Sequence, residues 1–306
     1  MTARGADVFP LVPRRRVAGV PFGERASLRR GRGTDVAGTR PYVPGDPFAA
    51  IDWATSARLS TARGGDEFVV RERYADEAPR VLVVCDRSPT MAVYGPPFPW
   101  LDKRRALAAA TRAIAASAVA ARSDFGYLDQ TLTLPRWTES GRAAPQSFAD
   151  HVGEGTFDAP RDSLGRLLEL VRVRRADLPS GSFVFVLSDF LGPVPPEVLA
   201  RAAGERWELV PVVIQDPTWE RSFPLLDGVV VPVADPETGE LRDVRITGRD
   251  SRERRAANEA RLQRLLRIFR RLGHEPVLLD EHSPAAVARA FLAWAERRRV
   301  TRRVRR

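Results

Sequence analysis

Three oxygen-bearing side chains stand at alternate positions directly after an apolar run. Val81-Leu82-Val83-Val84-Cys85 gives way to Asp86, Ser88 and Thr90. A carboxylate and two hydroxyls are hard oxygen donors, the kind that Mg²⁺ takes while keeping several waters. Alternation along an extended segment lets Ser88 and Thr90 turn towards one point. A second apolar run, Phe183-Val184-Phe185-Val186-Leu187, ends in Ser188-Asp189 and supplies another carboxylate. With one further hydroxyl, these residues make an oxygen shell for a small divalent cation. The plainer reading is that each aspartate caps the turn or helix that follows its strand.

Other chemistries find less support. There is no Gly-x-x-x-x-Gly-Lys phosphate loop and no Gly-x-Ser-x-Gly nucleophile elbow. His151, His274 and His282 lack metal-motif spacing. His151 reads as a loop residue, and His274 as a helix-end residue favoured by the dipole. Cys85 is the single cysteine, so no internal disulfide forms, and its apolar setting marks it as a small buried hydrophobe. A Mg²⁺-dependent phosphoryl hydrolase is the enzymatic alternative, since acids at strand ends in an α/β sheet serve that chemistry.

The elements that must position these residues alternate between strand and helix from Ala78 onward. Strands are expected at Val81–Cys85, Asp124–Leu128, Thr131–Leu134, Phe183–Asp189, Trp207–Ile214 and Pro276–Leu279. Helices are expected at Leu101–Arg122, Gln146–Val152, Asp162–Arg174, Pro195–Ala203, Ser251–Leu272 and Pro284–Arg298, with Gly273 as a C-cap. Val229–Val233 and Leu241–Ile246 flank Asp235-Pro236-Glu237-Thr238-Gly239-Glu240, whose turn chemistry predicts a hairpin. The pattern predicts an α/β fold: a doubly wound, mostly parallel sheet covered on both faces. In such sheets ligands bind beyond the carboxyl ends of the strands, where Asp86 and Asp189 both lie.

The first 78 residues read differently, as an N-terminal extended, β-containing arm and connecting segment. Residues 1 to 24 are rich in Pro, Arg and Gly, and Arg29–Gly33 reads as a solvated turn. Gly38–Pro47 is a turn-dense loop. In Ile51–Arg58, Asp52 or Ser56 is placed to cap a short helix, and Phe68–Tyr74 reads as a strand. Asp46, Asp52, Arg58, Glu67 and Glu72 are candidates for buried hydrogen bonds and ion pairs there. The expected layout is an arm over 1–78 packing on a main domain at 79–300, with a basic tail at 301–306.

The formal net charge is +10 and the pI about 10.9. Nucleic acid or an anionic membrane surface is therefore a third option, acting through Arg297 to Arg306. Lys103 is the only lysine, however, so nearly all the positive charge is arginine. A bias spread along the whole chain reads as coding preference and not as a phosphate-binding patch, so no specific nucleic-acid partner is expected. No stretch approaches ~18 consecutive apolar residues and no leader is evident, so a cytoplasmic protein without a transmembrane segment is expected.

The acid-x-Ser-x-hydroxyl loop, followed by a second strand ending Ser-Asp, resembles the von Willebrand factor A fold and its metal-ion-dependent adhesion site. The upstream residues Tyr42, Gly45, Asp46, Asp52, Trp53, Arg58 and Glu72 are similar to the signature of the bacterial "domain of unknown function 58" family. The resemblance covers roughly residues 30–300. It implies metal ligation by Asp86, Ser88, Thr90 and Asp189, with Thr90 standing where serine is usual. Ser163, or failing that Thr156, would take the place of a later-loop threonine. It further implies Mg²⁺ or another divalent cation, a non-enzymatic interaction role, and partnership with a MoxR-class AAA+ ATPase and its target protein.

Overall fold

The computed structural model describes residues 8–13, 26–76, 80–96, 98–132, 134–141, 152–178, 181–236 and 238–304. The chain divides into two compact units, Met1–Arg14 with Arg80–Arg306, and Arg15–Pro79.

The smaller unit pairs β1 (Ala26–Pro41) with β2 (Val69–Asp76) antiparallel, with register shifts along the ladder. Arg29–Gly33 therefore lies within a strand and is not the turn its glycines suggested. Between the strands runs α1 (Trp53–Arg63), closed by Gly64 at φ 70°. Of the signature residues, Asp46 and Asp52 make the bonds that fix its turn and its helix. Arg40 grips the Asp46 carboxylate through both terminal nitrogens, at 2.7 and 2.6 Å, and the Val43 N–H adds a third bond. Gly45, at φ 109°, makes that turn possible. Asp52 caps α1 by accepting from the Thr55 N–H and takes Arg71 Nε at 2.8 Å. The Val69 N–H donates to Ser56 Oγ, joining helix to strand. The Tyr42 ring stacks near Phe48, whereas Trp53 and Arg58 are exposed, so Arg58 makes no buried ion pair. Glu67 is half-buried and pairs at 3.5 Å with Arg63 on α1. The Glu72 side chain lies outside the described residues.

The larger unit is built on a six-stranded sheet. Its strands are β3 (Arg80–Cys85), β4 (Asp124–Gln130), β5 (Pro135–Gly141), β6 (Phe183–Ser188), β7 (Glu208–Ile214) and β10 (Val277–Leu279). Their spatial order is β10-β7-β6-β3-β4-β5, parallel except for the edge strand β5. This is the doubly wound, mostly parallel architecture expected. The continuous apolar runs of β3 and β6 follow from burial on both faces. Val81, Val83, Cys85, Phe183 and Phe185 face one core layer, with Leu107 and Ile114 of α2 (Lys103–Ala120) and Phe291 and Trp294 of α6 (Pro284–Val304). Leu82, Val84, Val184 and Val186 face the other. There they meet Leu167 and Leu168 of α3 (Ser163–Val173), Leu199 of α4 (Pro196–Ala203) and Phe269 of α5 (Gly248–Leu272).

Residues 8–13 belong to the first layer. Phe9 stacks on Phe291 at 4.5 Å and meets Phe185 and Trp294 edge-on, and its N–H donates to Ser117 Oγ. The sequence had grouped them with the arm, because apolar residues without period do not disclose their partner layer.

Further differences concern boundaries. The described residues of Thr131–Leu134 form no strand: β4 continues to Gln130, and β5 begins at Pro135. Helix α5 starts earlier than expected, because Thr247 and Asp250 form a reciprocal capping box. Helix α6 runs on to Val304, through most of the expected tail. The expected hairpin forms from β8 (Val229–Ala234) and β9 (Leu241–Ile246). The helix expected at Gln146–Val152 lies, up to His151, outside the described residues. His274 follows the Gly273 C-cap as expected and is buried.

Candidate functional site at the carboxyl ends of β3 and β6

Strands β3 and β6 are neighbours in parallel register, Cys85 opposite Leu187, so both acid-terminated runs end together. The Asp86 N–H still donates to Leu187 O, at 2.9 Å, and carries the pairing one residue past the strand. Ser188 Oγ donates to Asp86 Oδ2 at 2.6 Å, and the Ser88 N–H donates to Oδ1 at 2.8 Å. A short 3₁₀ turn at Pro89–Ala92 follows, anchored by buried Met91. It brings Thr90 Oγ1 within 3.1 Å of Ser88 Oγ. The three residues named from spacing alone thus meet in one place.

Asp189 sits at the next strand end and is fully buried. Its Oδ1 accepts from the Leu191 N–H, and its Oδ2 takes Lys103 Nζ at 2.9 Å. Phe190, beside it, adopts φ 53°, a left-handed conformation uncommon for a bulky side chain. Lys103 opens α2 and is itself fully buried, and its ammonium also bonds Glu220 Oε1 at 2.6 Å. Glu220 and Asp216 lie on the loop after β7. Asp216 accepts from the N–H groups of Leu101, Thr218 and Trp219. Gln215 Nε2 donates to Asp189 O, while its buried Oε1 has no partner among the described residues.

On the other side, Arg87 points into a buried network. Its guanidinium donates to Asp129 Oδ2, Val152 O and Tyr127 Oη. Gly155 packs against it: a Cβ there would collide with the Arg87 guanidinium. The Ala159 N–H donates to Arg87 O. Arg87 therefore ties the 152–159 loop to the Asp86 loop. Ser163 is buried at the start of α3, just past this loop, while Thr156 is exposed.

The electrostatics distinguish the two acids. Burial, and then the charge of Asp189, raise the Asp86 carboxyl above the usual range, against the bonds from Ser188 and Ser88. Asp86 hydrogen-bonds only to neutral groups, and no cationic side chain pairs with it among the described residues. Burial works against the Lys103 ammonium, but Asp189 and Glu220 outweigh it and hold the charge on.

A divalent cation fits this donor set. Asp86, Ser88, Thr90 and Asp189 present carboxylate and hydroxyl oxygens only, and Asp86 has no counter-charge among the described residues. Among the described residues, no group of three or more His, Cys, Asp or Glu side chains converges into a metal-holding array. The candidate set thus rests on two carboxylates and on hydroxyls. Sequence reasoning named Ser188 only as part of a Ser-Asp strand end, and missed the roles of Lys103 and Glu220 and the Arg87–Asp129 pair. One signal was present: a single lysine among 49 basic residues.

Fold and strand-end geometry together define an α/β protein built on a doubly wound, mostly parallel six-stranded sheet. The chain belongs to the family described as "Protein of unknown function DUF58", whose model matches residues 38–264. It is 27% identical over 248 residues to uncharacterized proteins of Mycobacterium tuberculosis and Mycobacterium bovis, covering 80% of this chain and 74% of each relative. Among solved structures, it is similar to the conserved hypothetical protein BatB of Bacteroides thetaiotaomicron, with TM-score 0.39 and 11% identity over 72% of this chain and 100% of that one. An aerotolerance-related membrane protein of Bacteroides fragilis gives TM-score 0.42 and 12% identity over the same shares. No helix among the described residues is long and apolar enough to cross a membrane.

Proposed function

We propose that this chain is a non-enzymatic docking protein, whose Asp86 loop receives a partner's carboxylate at a divalent cation. The observation that carries this reading is Asp86 itself: a carboxylate 4% exposed, with no cationic partner among the described residues, beside two hydroxyls 3.1 Å apart. Asp86, Ser88, Thr90 and Asp189 would hold the ion, with Ser163 as the candidate behind them. The ion would supply an open coordination position, and a carboxylate entering a partly dry site gains more than it would in water. The chain's own residues prepare the site. Ser188 and the Ser88 N–H fix both oxygens of Asp86, Met91 anchors the hydroxyl turn, and Arg87 braces the adjoining loop.

The partner we propose is a MoxR-class AAA+ ATPase, with this chain as an adaptor between it and a target protein in the cytoplasm. That assignment is supported by family resemblance. The test is a pull-down with the purified ATPase, with Mg²⁺ and with chelator, using the wild type, Asp86→Ala and Thr90→Val. Capture that needs Mg²⁺ and is lost in both variants supports the reading. Capture indifferent to chelator and to Asp86→Ala sinks it.

A further inference from the structure

We infer that Lys103 is a built-in counter-cation of this site. Its ammonium, bound to Asp189 and Glu220, holds the ends of β6 and β7 together without any divalent ion and limits how strongly the site attracts one. The second half of this inference rests on the cation reading above.

Four observations support it. The first is charge. Asp86, Asp189 and Glu220 are buried carboxylates in one neighbourhood, and Lys103 is the ammonium among them. Lys103 Nζ bonds Asp189 and Glu220, whereas no cationic side chain pairs with Asp86 among the described residues. Asp216, also buried, is held by three backbone N–H groups and not by Lys103.

The second observation is an acceptor with nothing to accept. Gln215 is 1% exposed and fixed by its Nε2 on Asp189 O, yet its Oε1 finds no partner among the described residues. A buried acceptor normally finds a donor or an ion.

The third is placement. Lys103 is the first residue of α2, and Asp102 caps that helix by accepting from the Arg105 N–H. The Tyr94 ring lies 5.7 Å from Nζ, on a residue held at φ 67°. The ammonium is therefore fixed in position and roofed by an aromatic face, a favourable partner for a cation.

The fourth is residue choice. A chain that writes every other basic position as arginine keeps its one lysine here. A compact point charge with three donors fits between two carboxylates at 2.9 and 2.6 Å, where a planar guanidinium would need a wider fork.

The experiment measures Mn²⁺ binding to the full chain by electron paramagnetic resonance. Thermal melts with chelator and with Mn²⁺ accompany it. The variants are Lys103→Met, Glu220→Gln and, as control, Asp86→Ala. Lys103→Met should bind Mn²⁺ about tenfold tighter or more, because one opposing charge is gone. It should also melt lower in chelator, with Mn²⁺ restoring much of the loss. Glu220→Gln should bind about tenfold weaker, because Lys103 then neutralises Asp189 alone. A merely structural lysine would not move the two affinities in opposite directions. Wild-type binding that needs Asp86 but is unmoved by either variant overturns the inference and leaves the docking proposal standing. Binding by Lys103→Met alone upholds the inference and overturns the cation reading of the native chain. Binding by none of them overturns both. If Lys103→Met does not fold, Glu220→Gln decides: weaker binding upholds the inference and unchanged binding overturns it.

Discussion

Ser188 Oγ donates to Asp86 Oδ2 at 2.6 Å while accepting from the Phe190 N–H at 2.8 Å. One hydroxyl thus joins two strand ends and steers the chain that carries Asp189. Ser188→Ala leaves a buried carboxylate oxygen and a backbone N–H each short of a partner. We expect a loss of about 1–3 kcal/mol, the cost of an unsatisfied buried polar group. Urea unfolding in chelator measures it. A change under about 0.3 kcal/mol would show that the hydroxyl does not hold the two ends together.

The Arg87–Asp129 pair is buried on both sides, at 1% and 4% side-chain exposure. Truncating one member strands the other's charge. Arg87→Met should destabilise by about 3–5 kcal/mol, and Asp129→Asn, which keeps hydrogen-bonding capacity, by less. Equilibrium denaturation of the two variants checks the order. Because Arg87 also bonds Val152 O, Arg87→Met should release the 152–159 loop to faster amide exchange, Ala159 included.

Asp46 is held at about 2, below its ordinary 3.8, by the Arg40 guanidinium first and then by the Val43 N–H. Asp52 is lowered further, chiefly by Arg71. A depressed acid contributes stability that is present above its unfolded value and is lost as pH falls through its folded value. The Arg15–Pro79 unit should therefore keep these contributions above pH 3.8 and lose that of Asp46 on the way down to about 2. Carboxyl titration by nuclear magnetic resonance reads each group directly. In Arg40→Ala, Asp46 should return towards the ordinary value while Asp52 stays low.

Cys85 is fully buried in β3, and burial pushes its thiol up to about 12. It should resist iodoacetamide at pH 8 in the folded protein and react in guanidinium, because the thiolate is the nucleophile. Mass spectrometry of the two samples is sufficient. Rapid labelling of the native protein would contradict the central place of β3.

The sequence determined by itself where the sheet lies and which residues stand at its carboxyl ends. Runs such as Val81–Cys85 and Phe183–Leu187 are written by burial on both faces, and burial leaves its mark locally, residue by residue. Asp86, Ser88 and Thr90 were legible because their meeting needs only local alternation and one tight turn. Thr131–Leu134 was misplaced because a short apolar run beside an edge strand carries no period of its own. What only the tertiary structure decided are contacts between residues far apart in the chain: Lys103 with Asp189 and Glu220, Arg87 with Asp129, and Phe9 against Phe291. An ion pair across 86 residues leaves no spacing to read. It exists because α2, β6 and the loop after β7 converge, and because a buried charge must find its opposite there.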